Sequence, residues 1–432
     1  MKNVSIINGR VIDPANGRDG IGDIHIVDGK IAASAVGGDL ETIDAAGLVV
    51  APGLIDIHVH LREPGQSHKE TIATASWAAA AGGFTSVVAM PNTVPAADSA
   101  ATIAWIHERA RQASCVNVFC TGAITKGLAG EELAPYGAMV AAGIVALTDD
   151  GHCVQNHEVM WRAVEYARMF ELLVMDHCQD ESLVGGGVMH EGEWSLRLGL
   201  PGWPRMGEEM IVSRNIMLAE LCETPVHCQH ISSGGSVRLL RDARARGVRI
   251  SGEVCPHHIA LTDASLAGFD TNFKMNPPLR SDADIDEIIG GIADGTLTIL
   301  CSDHAPHASY EKEVEFDQAP FGITGLETEF PVFCDILVHR RKAIALPRLI
   351  ELFTDEPARL LRLDRGTLSP GAPGDVTLID PDLEWTFDKA ASHSLSRNTP
   401  FDGHRWKGRA VRTIVAGRTV CQVEDGRVVM GR

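Results

Sequence analysis

The stretch Gly53-Leu54-Ile55-Asp56-Ile57-His58-Val59-His60-Leu61-Arg62-Glu63-Pro64-Gly65 decides how this sequence is read. Ile55, Ile57 and Val59 alternate with Asp56, His58 and His60, the period of a β-strand whose successive side chains point to opposite faces. His58 and His60 therefore share a face, with Cβ atoms roughly 7 Å apart, and can converge on one metal ion where the strand ends. Leu61 to Gly65 supplies that end, because proline cannot donate to a central ladder and Pro-Gly marks a turn. Alone, the His-x-His pair carries little weight: two satisfied or solvated histidines on a half-buried strand read the same way.

Beyond Gly53 short apolar runs recur at Ile55 to His60, Phe84 to Met90, Val116 to Cys120, Gly143 to Thr148, Leu172 to Asp176, Pro225 to Gln229, Arg249 to Cys255 and Thr298 to Ser302. Helix-like segments lie between them, at Lys69 to Ala81, Ser99 to Ala113, Glu131 to Ala142, Gln155 to Phe170, Glu208 to Cys222, Ser236 to Arg246 and Asp282 to Ala293. Strands alternating with helices over about 250 residues imply a closed (β/α)8 barrel of the TIM type, with a doubly wound open sheet as the alternative. Helices are expected at Leu326 to Arg341 and Leu346 to Leu361. Both chain ends are hairpin-rich and too short to bury a core alone, so residues 1–52 and 366–432 are expected to pair into a small side β-sandwich, leaving 53–365 as the barrel domain. Two long connections, Glu181 to Gly207 and His304 to Thr324, follow barrel strands and belong on the face where barrel enzymes carry their sites.

A chain of 432 residues, 45% hydrophobic, can bury a sizeable core. Thirty-eight Lys and Arg against 57 Asp and Glu give a net charge of -19, which argues against nucleic acid or an anionic membrane as partner. An anionic small-molecule substrate would have to be held by local cations or metal. The first ten residues lack the apolar run of a signal peptide. The uncharged run Thr71 to Ala97 is broken by Gly82-Gly83, Pro91 and Pro95, so it is not a membrane span. Ten cysteines occur without a C-x-x-C pair and read as reduced core residues of a cytoplasmic protein, not as a thiolate metal site.

The carboxyl ends of the strands repeat one choice of residue. Strand one ends in His58 and His60, strand four in Asp149-Asp150, strand five in His177, strand six in His230 and strand eight in Asp303. A parallel barrel brings all these ends to one mouth. Four histidines and two or more carboxylates exceed the needs of one zinc ion and suit a binuclear site with a bridging carboxylate and water or hydroxide. His68, His107, His157, His190, His339 and His393 fall in helical or loop contexts and read as solvated or structural; His257 and His258 are ambiguous. His227, three residues before His230, is expected on the opposite strand face in a structural role.

The segments GLIDIHVHLREPG, GGFTSVVAMPNT, TDDG, DHCQDESL, HISS, EVCPHH, KMNPPLR, SDHAPH, APFGITGLET and SRNTPFDGHRWKGR together resemble the amidohydrolase superfamily, and within it the type I bacterial dihydroorotases. The resemblance implies a barrel with a side β-sandwich and two Zn2+ per subunit, bridged by Asp150 and a hydroxide. It also implies reversible hydrolysis of (S)-dihydroorotate to N-carbamoyl-L-aspartate in de novo pyrimidine biosynthesis. It places one zinc on His58, His60, Asp150 and Asp303, the other on Asp150, His177 and His230, and makes Asp303 the catalytic acid/base. Arg62, two residues past His60, can offer a bidentate fork to a carboxylate. The resemblance adds Asn92 and His307 as its carboxylate partners, and Asn276 with the Phe321-Gly322 backbone for the ring amides. His60 and Leu61 complete the implied substrate-binding set. Hydantoinases and allantoinases commonly bridge their metals with a carboxylated lysine, whereas Ala146 to Gly151 contains none. A non-catalytic subunit of a transcarbamoylase complex is a further alternative, disfavoured because all six ligands are present. Gln179 and Ser233-Gly234 depart from the family pattern without touching a ligand. A homodimer and an aspartate transcarbamoylase partner are left open.

Overall fold

The eight apolar runs do form one parallel sheet. In the computed structural model, which describes residues 3–35 and 40–431, the strands Leu54–Val59, Phe84–Ala89, Asn117–Gly122, Ile144–Leu147, Leu173–Asp176, Val226–Cys228, Ile250–Val254 and Ile299–Leu300 pair in chain order. Each runs parallel to the next. The two edges meet through a parallel bridge between Val59 and His304, where the His60 N–H donates to His304 O at 2.9 Å. This closure turns an open sheet into a barrel, and it occurs one residue from each of three expected metal ligands, His58, His60 and Asp303.

Ile55 and Ile57 pack with Val88, Ala146, Leu173, Met175 and Ile299 in a cluster drawn from the barrel strands, sealed by Ala358 and Leu361 of the helix Asp355–Leu361. Val59 belongs instead to the larger core shared with the surrounding helices. The expected alternation through Val59 is thus interrupted. A register shift between Asp56 and Val59 in the pairing with Phe84–Ala89 is the cause, since a bulge inserts one residue and resets which face follows.

The helices follow the expected order, most with ends shifted by one to a few residues. Ile72–Gly82 is capped by Thr71, whose hydroxyl accepts from Thr74 N, and stops at Gly83 with φ 97°. The expected Glu131 to Ala142 helix is confined to Tyr136–Ala141 behind Pro135, because a proline at that point cannot join a preceding turn. The expected Leu326 to Arg341 helix begins only at Glu329, and its second half, Cys334–Arg340, is wound more widely. The connection after strand five folds into the helices Glu181–Val184 and Glu193–Leu198 with a parallel pair, Met189–His190 against Gly202–Trp203.

The chain ends build a nine-stranded mixed sheet. Its path runs Arg427–Met430, Arg418–Glu424, Arg405–Val415, Val376–Thr386, Val49–Pro52, Asn3–Asp13, Arg18–Val27 and Lys30–Ala32, with Leu40–Asp44 alongside Asn3–Asp13. It encloses its own core, including Val4, Ile6, Ile24, Ile26, Val376, Leu378 and Ile414. Among the described residues no helix is long and apolar enough to cross a membrane.

Packing between helix and barrel is tight at Gly82, where an added Cβ would stand 2.0 Å from the Leu326 carbonyl oxygen. Gly82→Ala should therefore destabilise the protein by about 1–3 kcal/mol through overpacking. Gly290, inside the helix Asp282–Ala293, has nothing within 4 Å of such a Cβ, and Gly290→Ala should be neutral or stabilising by up to about 1 kcal/mol. Denaturant unfolding of the two variants checks the opposite signs.

Candidate metal centre and substrate cleft

The residues that sequence places at strand ends converge. His58 Nε2 lies 3.3 Å from Asp150 Oδ1 and 3.5 Å from Asp303 Oδ1, and His60 Nε2 lies 3.0 Å from Asp303 Oδ1 and 3.4 Å from Asp150 Oδ2. His177 Nδ1 is 2.8 Å from His230 Nε2, and His230 Nε2 is 3.5 Å from Asp150 Oδ1. Two triads, His58-His60-Asp303 and His58-Asp150-His230, bring their ligand atoms within 4.8 Å of one another. Of the adjacent aspartates, Asp149 turns away, accepting from Ile124 N at 2.7 Å, Thr125 N at 3.0 Å and the Thr125 hydroxyl. Asp150 is therefore the one that joins the cluster.

The protons on the imidazoles show what the cluster is built to hold. His58 Nδ1 donates to Glu253 Oε1 at 2.6 Å, since a carboxylate at that position can only accept. His60 Nδ1 donates to Asn92 Oδ1 at 2.8 Å, while the Asn92 amide N–H points to Asp150 O at 3.4 Å. His177 Nε2 donates to Gln179 Oε1 at 2.7 Å, the same oxygen that accepts from Asn276 Nδ2 at 2.9 Å. In each case the outer nitrogen carries the proton, so a neutral ring turns its lone pair inward, toward carboxylate oxygens. Lone pairs facing carboxylates repel unless a cation lies between them, and outer acceptors of this kind are what orient histidine ligands of metals. His58 Nε2 and Asp150 Oδ1 are fully enclosed and have no hydrogen-bond partner.

Electrostatics makes the same demand. Burial disfavours charge on His58, but Asp150, Glu253 and Asp303 outweigh it and hold its pKa above the ordinary histidine value. Burial likewise opposes ionisation of Asp303, yet His58 and His60 hold its carboxyl down at about 2. The cluster thus calls for positive charge. Four imidazoles and two carboxylates are a zinc-type donor set, so the residues present fit a metal. Two further triads, His58-Glu253-Cys301 and Cys255-His257-His258, contain a cysteine; burial pushes the Cys255 thiol up to about 11 and keeps it protonated.

Beside the cluster opens a cleft of about 330 Å³, lined by His60, Arg62, Asn92, Asp150, Gly151, His177, His230, Asn276, Asp303, Ala305, His307, Pro320, Phe321 and Gly322. Of the expected site residues, only two are absent from this lining. His58 lies beneath it with no exposure, and the Leu61 side chain packs in the main core. Arg62 is the single lysine or arginine among the lining residues. Its only side-chain hydrogen bond among the described residues runs from Nε to Pro306 O at 3.2 Å, and burial lowers its pKa to about 10, still charged near neutrality. His307 donates Nε2–H to Phe321 O at 2.8 Å. Burial, reinforced by the Arg62 cation, pushes its pKa down to about 2 and keeps it neutral.

Beyond Gln179, which was expected to touch no ligand yet accepts from His177 Nε2 at 2.7 Å, two parts of the expectation change. His227 does not face away from the site: it lies fully buried behind it, donating Nε2–H to Glu253 Oε2 at 3.0 Å. The strand ends at Cys228 and His230 adopts φ 32°, so period-two counting does not carry from 227 to 230. The second change is Glu253 itself, which sequence reading passed over. Its signal was available, because a glutamate inside the apolar run Ile250–Val254 of a central strand is rarely buried without a partner. The ambiguous His257 and His258 are buried outside the cleft lining, His258 Nε2 bonding Pro277 O at 3.0 Å.

Comparison with known proteins places this geometry. A family model described as Dihydro-orotase-like matches residues 47–236. The Dihydroorotase of Solibacter usitatus (strain Ellin6076) is 51% identical over 417 residues, covering 96% of this chain and 97% of that protein. The chain belongs to the dihydroorotase family. The Dihydroorotase of Syntrophotalea carbinolica is 49% identical over 427 residues, covering 98% and 100% of the two chains. Among solved structures, the L-hydantoinase (dihydropyrimidinase) from Arthrobacter aurescens superposes with a TM-score of 0.89 over 100% of this chain and 98% of its own at 24% identity. The dihydropyrimidinase from Brevibacillus agri gives 0.86, also at 24%. These two share the fold.

In this dihydroorotase-family site, Glu253 fixes the ring of His58 through Nδ1, leaving Nε2 turned to the Asp150 and Asp303 oxygens. Glu253→Gln should lower metal affinity by about 10- to 100-fold, as loss of such outer partners does. Competition with a chelator, followed by metal analysis of the protein, measures this; unchanged affinity would refute the role.

Proposed function

We propose that the protein is a metal-dependent dihydroorotase, opening the ring of (S)-dihydroorotate to N-carbamoyl-L-aspartate and running the reverse closure. The observation that carries this reading is the lone Arg62 cation in a cleft beside the histidine-carboxylate cluster. A cyclic amide bearing a carboxylate would pair with it, whereas a ring without one would leave a nearly buried guanidinium unanswered. Close relatives of nearly full length bear the name Dihydroorotase, and the segment Ile144 to Gly151 offers no lysine for a carbamate bridge.

His58, His60, Asp150 and Asp303 would hold one zinc ion and Asp150, His177 and His230 a second, which would supply polarisation of the ring carbonyl and a water acidic enough to act near neutral pH. The protein's own groups do the rest. Arg62 anchors the substrate carboxylate; with His307 held neutral, the attractive charge falls on Arg62 alone, Asn92 adds hydrogen-bonding capacity around it, and His307 can donate to the carboxylate only by giving up its bond to Phe321 O. Asn276 and the Phe321-Gly322 backbone face the ring amides, and Leu61, its side chain in the core, can contribute only main-chain atoms. Hydrolysis forms one C–O bond and breaks the ring C–N bond, so a proton from the attacking water must reach the departing nitrogen. Asp303 lines the cleft and moves that proton.

The direct test is an assay of the metal-replete protein on dihydroorotate, hydantoin and allantoin, before and after chelation. Turnover should be confined to dihydroorotate and lost with the metal; turnover of hydantoin in preference would overturn the substrate assignment. Arg62→Met should raise KM for dihydroorotate at least tenfold at unchanged metal content, and an unchanged KM would remove Arg62 from substrate binding.

A further inference from the structure

The segment Ser394-Leu395-Ser396-Arg397-Asn398-Thr399-Pro400-Phe401 belongs to the C-terminal part of the chain that supplies four strands of the terminal sheet, yet it lies against the loops at the barrel mouth. It is fastened on both sides of one residue. The Ser394 hydroxyl and Leu395 N donate to Glu70, the latter at 3.1 Å, and Ser396 Oγ donates to Lys69 O at 2.6 Å. Beyond it, Phe401 is fully buried with its ring 5.6 Å from that of Trp406.

Between these anchors sits Asn398, 4% exposed. Its Nδ2 donates to Ala305 O at 3.0 Å and to Gly322 O at 3.1 Å, and its Oδ1 accepts from His307 N at 3.0 Å. Its carbonyl accepts from Thr324 N at 2.8 Å. Ala305 and His307 lie on the outgoing limb of the connection after the eighth barrel strand, and Gly322 and Thr324 on the returning limb. The limbs also touch directly, Ala305 N donating to Ile323 O at 2.7 Å. Both limbs line the cleft, through Ala305 and His307 on one side and Phe321 and Gly322 on the other.

We propose that Asn398 is a positioning residue for substrate recognition: its amide clips the two limbs of this connection together and so sets the spacing between His307 and the Phe321-Gly322 backbone. The assignment rests on the dihydroorotase reading for its choice of substrate. The residue type suits the task, because the position needs two N–H donors for two carbonyls and one acceptor for an N–H, and a primary amide supplies all three. Aspartate would keep the acceptor but set a carboxylate against two carbonyl oxygens. Leucine has nearly the same shape and supplies none of the three. Asn398 neither lines the cleft nor lies among the ligand triads, so its effect must pass through the loop it holds.

Asn398→Leu and Asn398→Asp, prepared as full-length metal-replete protein, test this in two ways. Steady-state kinetics with dihydroorotate should show KM raised about 10- to 100-fold, the penalty expected of a misplaced binding group, with kcat within about threefold and metal content unchanged. Hydrogen exchange should show the amide of His307 exchanging at least tenfold faster in the leucine variant, with the barrel strands as protected as before. An unchanged KM in both variants, or a fall in metal content with KM intact, would overturn the proposal. So would unaltered exchange at His307, and this arm needs no substrate: if the native protein fails to open dihydroorotate, the functional reading fails while exchange still decides the role of Asn398. If the leucine variant does not fold, Asn398→Ser serves in its place.

Discussion

Glu253 places a carboxylate where no solvent reaches it, and the organisation of the barrel mouth depends on how that charge is satisfied. Its two oxygens accept hydrogen bonds from His58 Nδ1, His227 Nε2 and the backbone N–H of His230. Burial alone would raise its pKa; the two histidines reverse this and hold it below the usual carboxylate range. Removing one partner of such a buried group typically costs about 3–5 kcal/mol, so the ring of His58 has one orientation open to it. Asn92 and Gln179 repeat the device with neutral acceptors for His60 and His177. Because each of these amides also bonds a residue of the cleft wall, the geometry of the histidine-carboxylate cluster and the shape of the cleft beside it are set by the same side chains.

Backbone conformation contributes a second constraint. Arg62, His230 and Asp303 adopt φ values of 60°, 32° and 47°, in the left-handed region that side-chain-bearing residues seldom occupy. All three stand just past the end of a barrel strand, where the chain must leave the ladder sharply for its side chain to turn over the mouth. Such strain, of order 1–3 kcal/mol per residue, persists where surrounding contacts leave the chain no alternative, and it gathers at functional sites. Here the contacts are the closing bridge at His304 for Asp303, Glu253 for His230, and Pro306 O for Arg62.

Much of this was legible in the sequence. Eight apolar runs separated by helical periodicity imply the barrel because buried parallel strands need no alternation and say little else. The cluster was legible because titratable residues at the ends of such runs have few other reasons to be there. What escaped detection involved contacts across the barrel. The bulge between Asp56 and Val59 exists only in the pairing with a neighbouring strand, and no local signal records it. His227 was misplaced because period-two counting was carried past the end of its strand, and Glu253 was missed because its partners lie on two other strands. Asn398 is the extreme case: its side-chain bonds reach 76 to 93 residues back along the chain.

The terminal sheet is accordingly part of how the site is held. Val49–Pro52 pairs with Val376–Thr386 in that sheet, and one residue later the chain enters the first barrel strand, Gly53 N donating to Asp375 O at 2.9 Å. The Asp375 carboxylate also accepts from Asn117 of the third barrel strand at 2.9 Å and from Ala416 N at 2.8 Å, while Thr377 and Thr413 hydroxyls donate to Gly83 O and Ala80 O at the end of the first helix, each at 2.7 Å. The strand bearing His58 and His60 is thereby fixed at its base by the sheet. The C-terminal stretch around Asn398 fixes the loop that follows the eighth strand, beside it. The histidine-carboxylate cluster and the loop beside the cleft are thus held in common by parts of the chain that contribute no residue to the cluster, and rigidity of this kind is what a site needs if its groups are to stay within a fraction of an ångström of a productive geometry.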